Sequence, residues 1–182
     1  AAADGETNPD SWTAVGGIGG GRDSGNTTYA YAICSADRIH PNSISTKVHF
    51  RELSGPTTAG TSQTATAGCA DNEEEHNGHS RNGQGWNGHG HNGQKRDIGM
   101  LVSGGAAASG GNVTTTDFTK AGSGGTHLIG SFPSDSDGKP VTDGTTTAAH
   151  WTAAVHVGGS PSPNTYSDVW ALCLNLHNEH QE

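Results

Sequence analysis

Apolar and polar residues alternate along this 182-residue chain in short runs separated by glycine-rich punctuation. Residues 11–18 place Trp12, Ala14, Gly16 and Ile18 on one face, and residues 28–34 set Tyr29, Tyr31 and Ile33 opposite Ala30, Ala32 and Cys34. That period of two is the signature of a half-buried strand. Residues 44–53 carry Val48 and Phe50 among Thr, Lys and His, and residues 64–69 alternate Thr with Ala or Gly. Further strands are expected at 98–108, 113–118 and 127–132. Next comes a strand with Trp151, Ala153, Val155 and Val157 on one face. A last one sets Trp170 and Leu172 opposite Val169, Ala171 and Cys173. No long apolar pattern has the helical period of 3.6, and Gly and β-branched residues are scattered throughout. The pattern therefore predicts an all-β protein, an antiparallel sandwich or barrel of about eight or nine short strands with long Gly-rich loops.

One stretch occurs twice. Residues 11–34 align without a gap on residues 150–173. Trp12/Trp151, Thr13/Thr152, Ala14/Ala153, Gly19/Gly158, Gly20/Gly159, Ala32/Ala171 and Cys34/Cys173 are identical. Each copy reads as two strands joined by a Gly-rich loop, an internal hairpin duplication in which Trp12, Trp151 and Trp170 serve as framework. The implied layout is an arm at 1–10, a first Trp-to-Cys hairpin at 11–35, and a main β unit at 36–182. That unit carries a low-complexity insertion at about 71–97, and the whole reads as one domain.

Composition qualifies this picture. Leu, Ile, Val and Phe together number 23, and the net charge is −9. Fewer than roughly 20% of such residues with high net charge is a disorder signature. The clear strand periodicity opposes it. The resolution is a thin core that needs disulfides, metal or association with other chains. The acidic balance argues against nucleic acid as a partner, and no apolar run reaches the ~20 residues of a membrane-spanning helix. The opening Ala1, Ala2, Ala3 without Met is what signal-peptide removal leaves, so a secreted, extracellular protein is expected. Three cysteines then permit one bridge. Cys69 with Cys173 leaves Cys34 unpaired or linked to another chain; Cys34 with Cys69 is the competing pairing.

The insertion is four pentads of the form x-Asn-Gly-[His/Gln]-x, starting at His76, Arg81, Trp86 and His91. Asn-Gly favours tight turns. The imidazoles of His76, His79, His89 and His91 have spacings that let two rings share Zn²⁺ or Cu²⁺, against the blander reading of a solvated loop. His177 and His180 form a similar pair near the end. Asp135, Asp137 and Asp143, next to Gly138 and Gly144, resemble part of a Ca²⁺ loop, although the EF-hand spacing and its closing Glu are absent; Asp-Gly turns account for them equally well. Residues 147–150, ending in His150, and Asp23, Ser24 and Gly25 mimic fragments of a serine protease. Their order is reversed, however, and His150 aligns with Ser11 as a strand-start residue. No catalytic site, cofactor-binding fingerprint or required cofactor emerges.

Cys69, Met100 to Ala106, Leu128 to Asp135, Trp151 to Ala153 and Trp170 to Cys173 together form a Cys…Ser-Gly-Gly…Trp-x-Ala…Ala-x-Cys pattern. It resembles that of uncharacterised exported Gly/Thr-rich β proteins of filamentous actinobacteria, over residues 62–173. The resemblance implies export and a β fold and brings no activity with it. This chain departs from the pattern where Cys69 runs into the pentads instead of a short turn. The expectation is a secreted, non-catalytic structural subunit of an extracellular fibre, coat or complex. It would self-associate, or join another secreted protein, through strand pairing. The alternative is an extracellular module that captures divalent metal or glycan through the 76–95 loop.

Overall fold

The computed structural model describes residues 2–14, 25, 27–32, 44–69, 99–109, 125–146, 148–159 and 164–176. All its regular structure is β, with no helix among the described residues. Six strands follow one another: β1 (Ile44–Ser54), β2 (Ser62–Gly68), β3 (Met100–Ser109), β4 (Thr126–Ser134), β5 (His150–Val157) and β6 (Tyr166–Leu176). They form two antiparallel three-stranded sheets, ordered β1-β6-β3 and β2-β5-β4. Neither sheet closes into a barrel among the described residues.

Six of the nine expected strands are present, and a seventh, at 113–118, lies outside the described residues. The described parts of the first Trp-to-Cys copy, residues 11–14 and 27–32, carry no strand, and Tyr29 and Tyr31 are exposed. The second copy is not a hairpin either. Its two strands are the middle strands of different sheets, β5 between β2 and β4, β6 between β1 and β3. The physical reason is burial: a strand with partners on both edges and a core on one face must be the most apolar of its sheet, and this stretch supplies both such strands.

One face of each central strand is fully buried. On β5 this is Ala153, Val155 and Val157, all 0% exposed, and on β6 it is Val169, Ala171 and Cys173. Ala65 and Ala67 of β2 join Ala153, Val169, Ala171 and the cysteines in one cluster drawing on both sheets. Leu53, Leu101, Ala106 and Trp151 pack around it. The largest fully buried apolar side chain is a valine, so the core is thin, as the scarcity of large aliphatics requires. A disulfide between Cys69 and Cys173 crosses it, closing 104 residues of chain. It joins the end of β2 to the centre of the other sheet, and Cys34 lies outside the described residues.

Small residues also make room for large ones. Trp151 points its ring at Gly104 of β3, where even a Cβ would overlap the indole, and its Nε1 donates to Ser131 Oγ at 2.9 Å. Gly105, the next residue, points to the opposite face. An ideal Cβ there would lie 3.5 Å from Trp12 Cζ2. The two tryptophans that align in the duplication thus lie against adjacent glycines on opposite faces of one strand.

Candidate functional site

The outer face of the β1-β6-β3 sheet gathers the least ordinary chemistry. Antiparallel register sets Phe50 beside Trp170 beside Gly105, and Glu52 beside Asp168 beside Ala107. The Phe50 and Trp170 rings lie 5.0 Å apart between centroids, a favourable tilted aromatic pair.

The leading residues of the chain are fastened to this sheet. Gly5 N donates to Val48 O at 2.8 Å, Val48 N to Glu6 O at 2.9 Å, and Asn8 N to Thr46 O at 2.9 Å. Thr7 pairs antiparallel with Lys47. The arm is therefore an extra antiparallel partner along the edge of β1. Two side chains extend the ladder, because Asp4 Oδ1 accepts from Phe50 N at 2.8 Å and Asn8 Oδ1 accepts from Thr46 N at 2.9 Å. Trp170 Nε1 reaches the arm as well, donating to Ala2 O at 3.1 Å. By residue 12 the chain has crossed the outer face to bring Trp12 against Gly105 of β3.

Within this face Asp168 is 0% exposed. Its direct cross-strand neighbour is Glu52, and like charges placed opposite each other repel. Burial pushes the Asp168 carboxyl up to about 7. The Ser109 hydroxyl partly opposes that shift, while the charge and the close approach of the Glu52 side chain reinforce it. Ser109 lies close enough to favour the charged form, yet among the described residues no hydrogen bond of sound geometry reaches either Asp168 oxygen or Glu52 Oε2. Three buried oxygens without a hydrogen-bond partner thus sit on two adjacent carboxyls, and burial favours the protonated form of Asp168. Nothing in the sequence marks Glu52 or Asp168 as special: Glu52 follows Arg51 in a strand rich in polar residues, and Asp168 stands just before the apolar run of β6.

The residues singled out from sequence fall elsewhere. His76, His79, His89 and His91 lie outside the described residues, as do Ser24, His177 and His180. Asp135, Asp137 and Asp143 are exposed. Asp135 Oδ1 accepts from the backbone of Asp137 and of Lys139, each at 2.9 Å, which caps the tight turn around Gly138. Residues 142–145 form a second turn of their own, Thr145 N donating to Thr142 O. The acids are thus turn formers at separate places. Among the described residues no group of three or more His, Cys, Asp or Glu converges to hold a metal. His150 begins β5, paired with Gly68 and Ser134.

No helix among the described residues is long and apolar enough to cross a membrane. Compared with protein-family models, with curated proteins and with solved structures, the chain gives no significant match in any of the three.

Proposed function

We propose that this protein is a secreted, non-catalytic assembly subunit, a β-sandwich that joins copies of itself into an extracellular fibre, coat or complex by strand association. The observation that carries this reading is the arm. Residues 5–8 add to the edge of β1 as a further strand would, through main-chain hydrogen bonds that any equivalent segment can make. Residues 9–43 separate this segment from β1, a length of chain whose contour limit is roughly 115 Å. A segment so tethered can fill its own edge or that of a neighbouring copy. Exchange of identical segments is a low-cost route to association, and it propagates when the geometry does not close.

Among the four sheet edges of the described residues, β1 is favoured as the joining edge by length and regularity; β2 also pairs without a break but has only seven residues. β3 breaks register between Leu101 and Ser103, and β4 between Leu128 and Gly130. Bulges of this kind bend an edge and discourage pairing. β1 runs eleven residues without a break. The thin core and the exposed Tyr29, Tyr31, Met100 and Ile129 add apolar surface for contacts between subunits.

The test is to remove residues 1–12 and supply them as a synthetic peptide. The shortened chain should bind the peptide saturably, and Val48 and Thr46 amide exchange should slow again on binding. A shortened chain that ignores the peptide would remove the edge from the account.

A further inference from the structure

The second sheet carries, on its outer face, a feature that is independent of the arm. His127 of β4 and His156 of β5 are direct cross-strand partners, and their rings meet edge to face with centroids 5.5 Å apart. His127 is exposed and His156 half-buried. We propose that this pair is a binding site for a borderline divalent transition-metal ion, of the Zn²⁺, Cu²⁺ and Ni²⁺ class, ligated through Nε2 of each ring.

The support lies in what holds the other nitrogens. His127 Nδ1 is 2.8 Å from Gly125 O. A carbonyl only accepts, so Nδ1 carries the proton and the neutral ring has its lone pair on Nε2. That carbonyl is itself fixed, because Gly158 N also donates to it at 2.9 Å. Gly125 can turn it inward because its φ of +111° lies in the region that favours glycine. His156 Nδ1 is 2.9 Å from Ser62 Oγ on β2, and in the metal-bound form the hydroxyl accepts from Nδ1–H. Metal-ligating histidines characteristically anchor their second nitrogen on a carbonyl, carboxylate or similar acceptor, which sets both tautomer and ring orientation. Here three strands supply that arrangement, β2 through Ser62, β4 through His127 and β5 through His156. Imidazole nitrogens select this class of ion over Ca²⁺ or Mg²⁺. Two protein ligands leave coordination positions open to water or to a donor from another molecule.

The experiment is calorimetric titration of the full chain with Zn²⁺ and with Cu²⁺, together with electron paramagnetic resonance of the Cu²⁺ form. One ion per chain with two nitrogen ligands is expected. His127→Gln and His156→Gln, which keep side-chain size and polarity, should each weaken binding at least ten-fold. Ser62→Ala, which removes an outer partner only, should weaken it roughly 10-fold or more. A chain with His76, His79, His89 and His91 all replaced by Ala should keep the ion. The inference is overturned if the full chain takes up neither ion. It is equally overturned if the His127→Gln, His156→Gln double variant binds as well as the parent, or if binding disappears with the four loop histidines instead.

Discussion

Asp168 shows what a single buried residue imposes on this sheet. Its carboxyl is raised from 3.8 to about 7 in the folded chain, so between those values the native state binds more protons than the unfolded one. Stability from this group is therefore full below about pH 4 and declines as pH rises through 7. Each pH unit between the two values is worth on the order of 1 kcal/mol. Asp168→Asn should remove the decline and stabilise the protein above pH 7 by about 2 kcal/mol or more, leaving Glu52 a neutral neighbour. Urea unfolding of both chains at pH 5 and pH 8 checks it; equal pH slopes would mean that Asp168 ionises normally. The adjacent glycines give a second contrast. Gly104→Ala must displace the Trp151 ring and should cost roughly 3 kcal/mol, whereas Gly105→Ala meets Trp12 at an ordinary distance and should change stability by less than about 1 kcal/mol. Thermal unfolding of the two variants side by side decides it. Neither the acid nor the glycine pair could be weighted from sequence. Asp168 precedes the apolar alternation that marks β6 from Val169 onward, and its burial depends on the strands that the fold sets beside it. His127 and His156 stand 29 positions apart, and a bulge beside Leu128 intervenes, so only the strand register shows them to be neighbours.

At the scale of elements, period-two patterning located the two central strands well because each has one face in the core. The inward residues Ala153, Val155 and Val157 on β5, and Val169, Ala171 and Cys173 on β6, are those the alternation selects. Pairing was not legible in the same way. A Gly-rich loop between two alternating segments fits a hairpin and a crossover between sheets equally well, and here the chain crosses. The disulfide holds the two sheets together over that crossover. Closing a loop of about 100 residues is worth about 4.7 kcal/mol of unfolded-state entropy. With so thin a core, Cys173→Ser should cost about 2–5 kcal/mol and bring the midpoint of urea unfolding down accordingly. A variant as stable as the parent would show that the valine and alanine cluster suffices alone. The arm is held by individually modest contacts, so Asp4→Ala should chiefly speed hydrogen exchange at the Phe50 amide, with little loss of global stability.

For the whole molecule, the duplicated Trp-to-Cys stretch takes on a meaning that neither copy has alone. The second copy builds both central strands. Of the first copy, Trp12 is laid across the sheet that the second helps to form, beside an arm that occupies its edge. On the proposed function, a partner segment on a tether, an unbroken edge that receives it and a core with little apolar mass would let a subunit gain stability from its neighbours. Sedimentation velocity of the full chain and of the chain lacking residues 1–12, over a hundred-fold range of concentration, tests that claim most directly. The account predicts that the full chain forms concentration-dependent oligomers and that the shortened chain, still folded by circular dichroism, does not. A full chain that sediments as a single monomer throughout, or a shortened chain that assembles to the same extent, would contradict it.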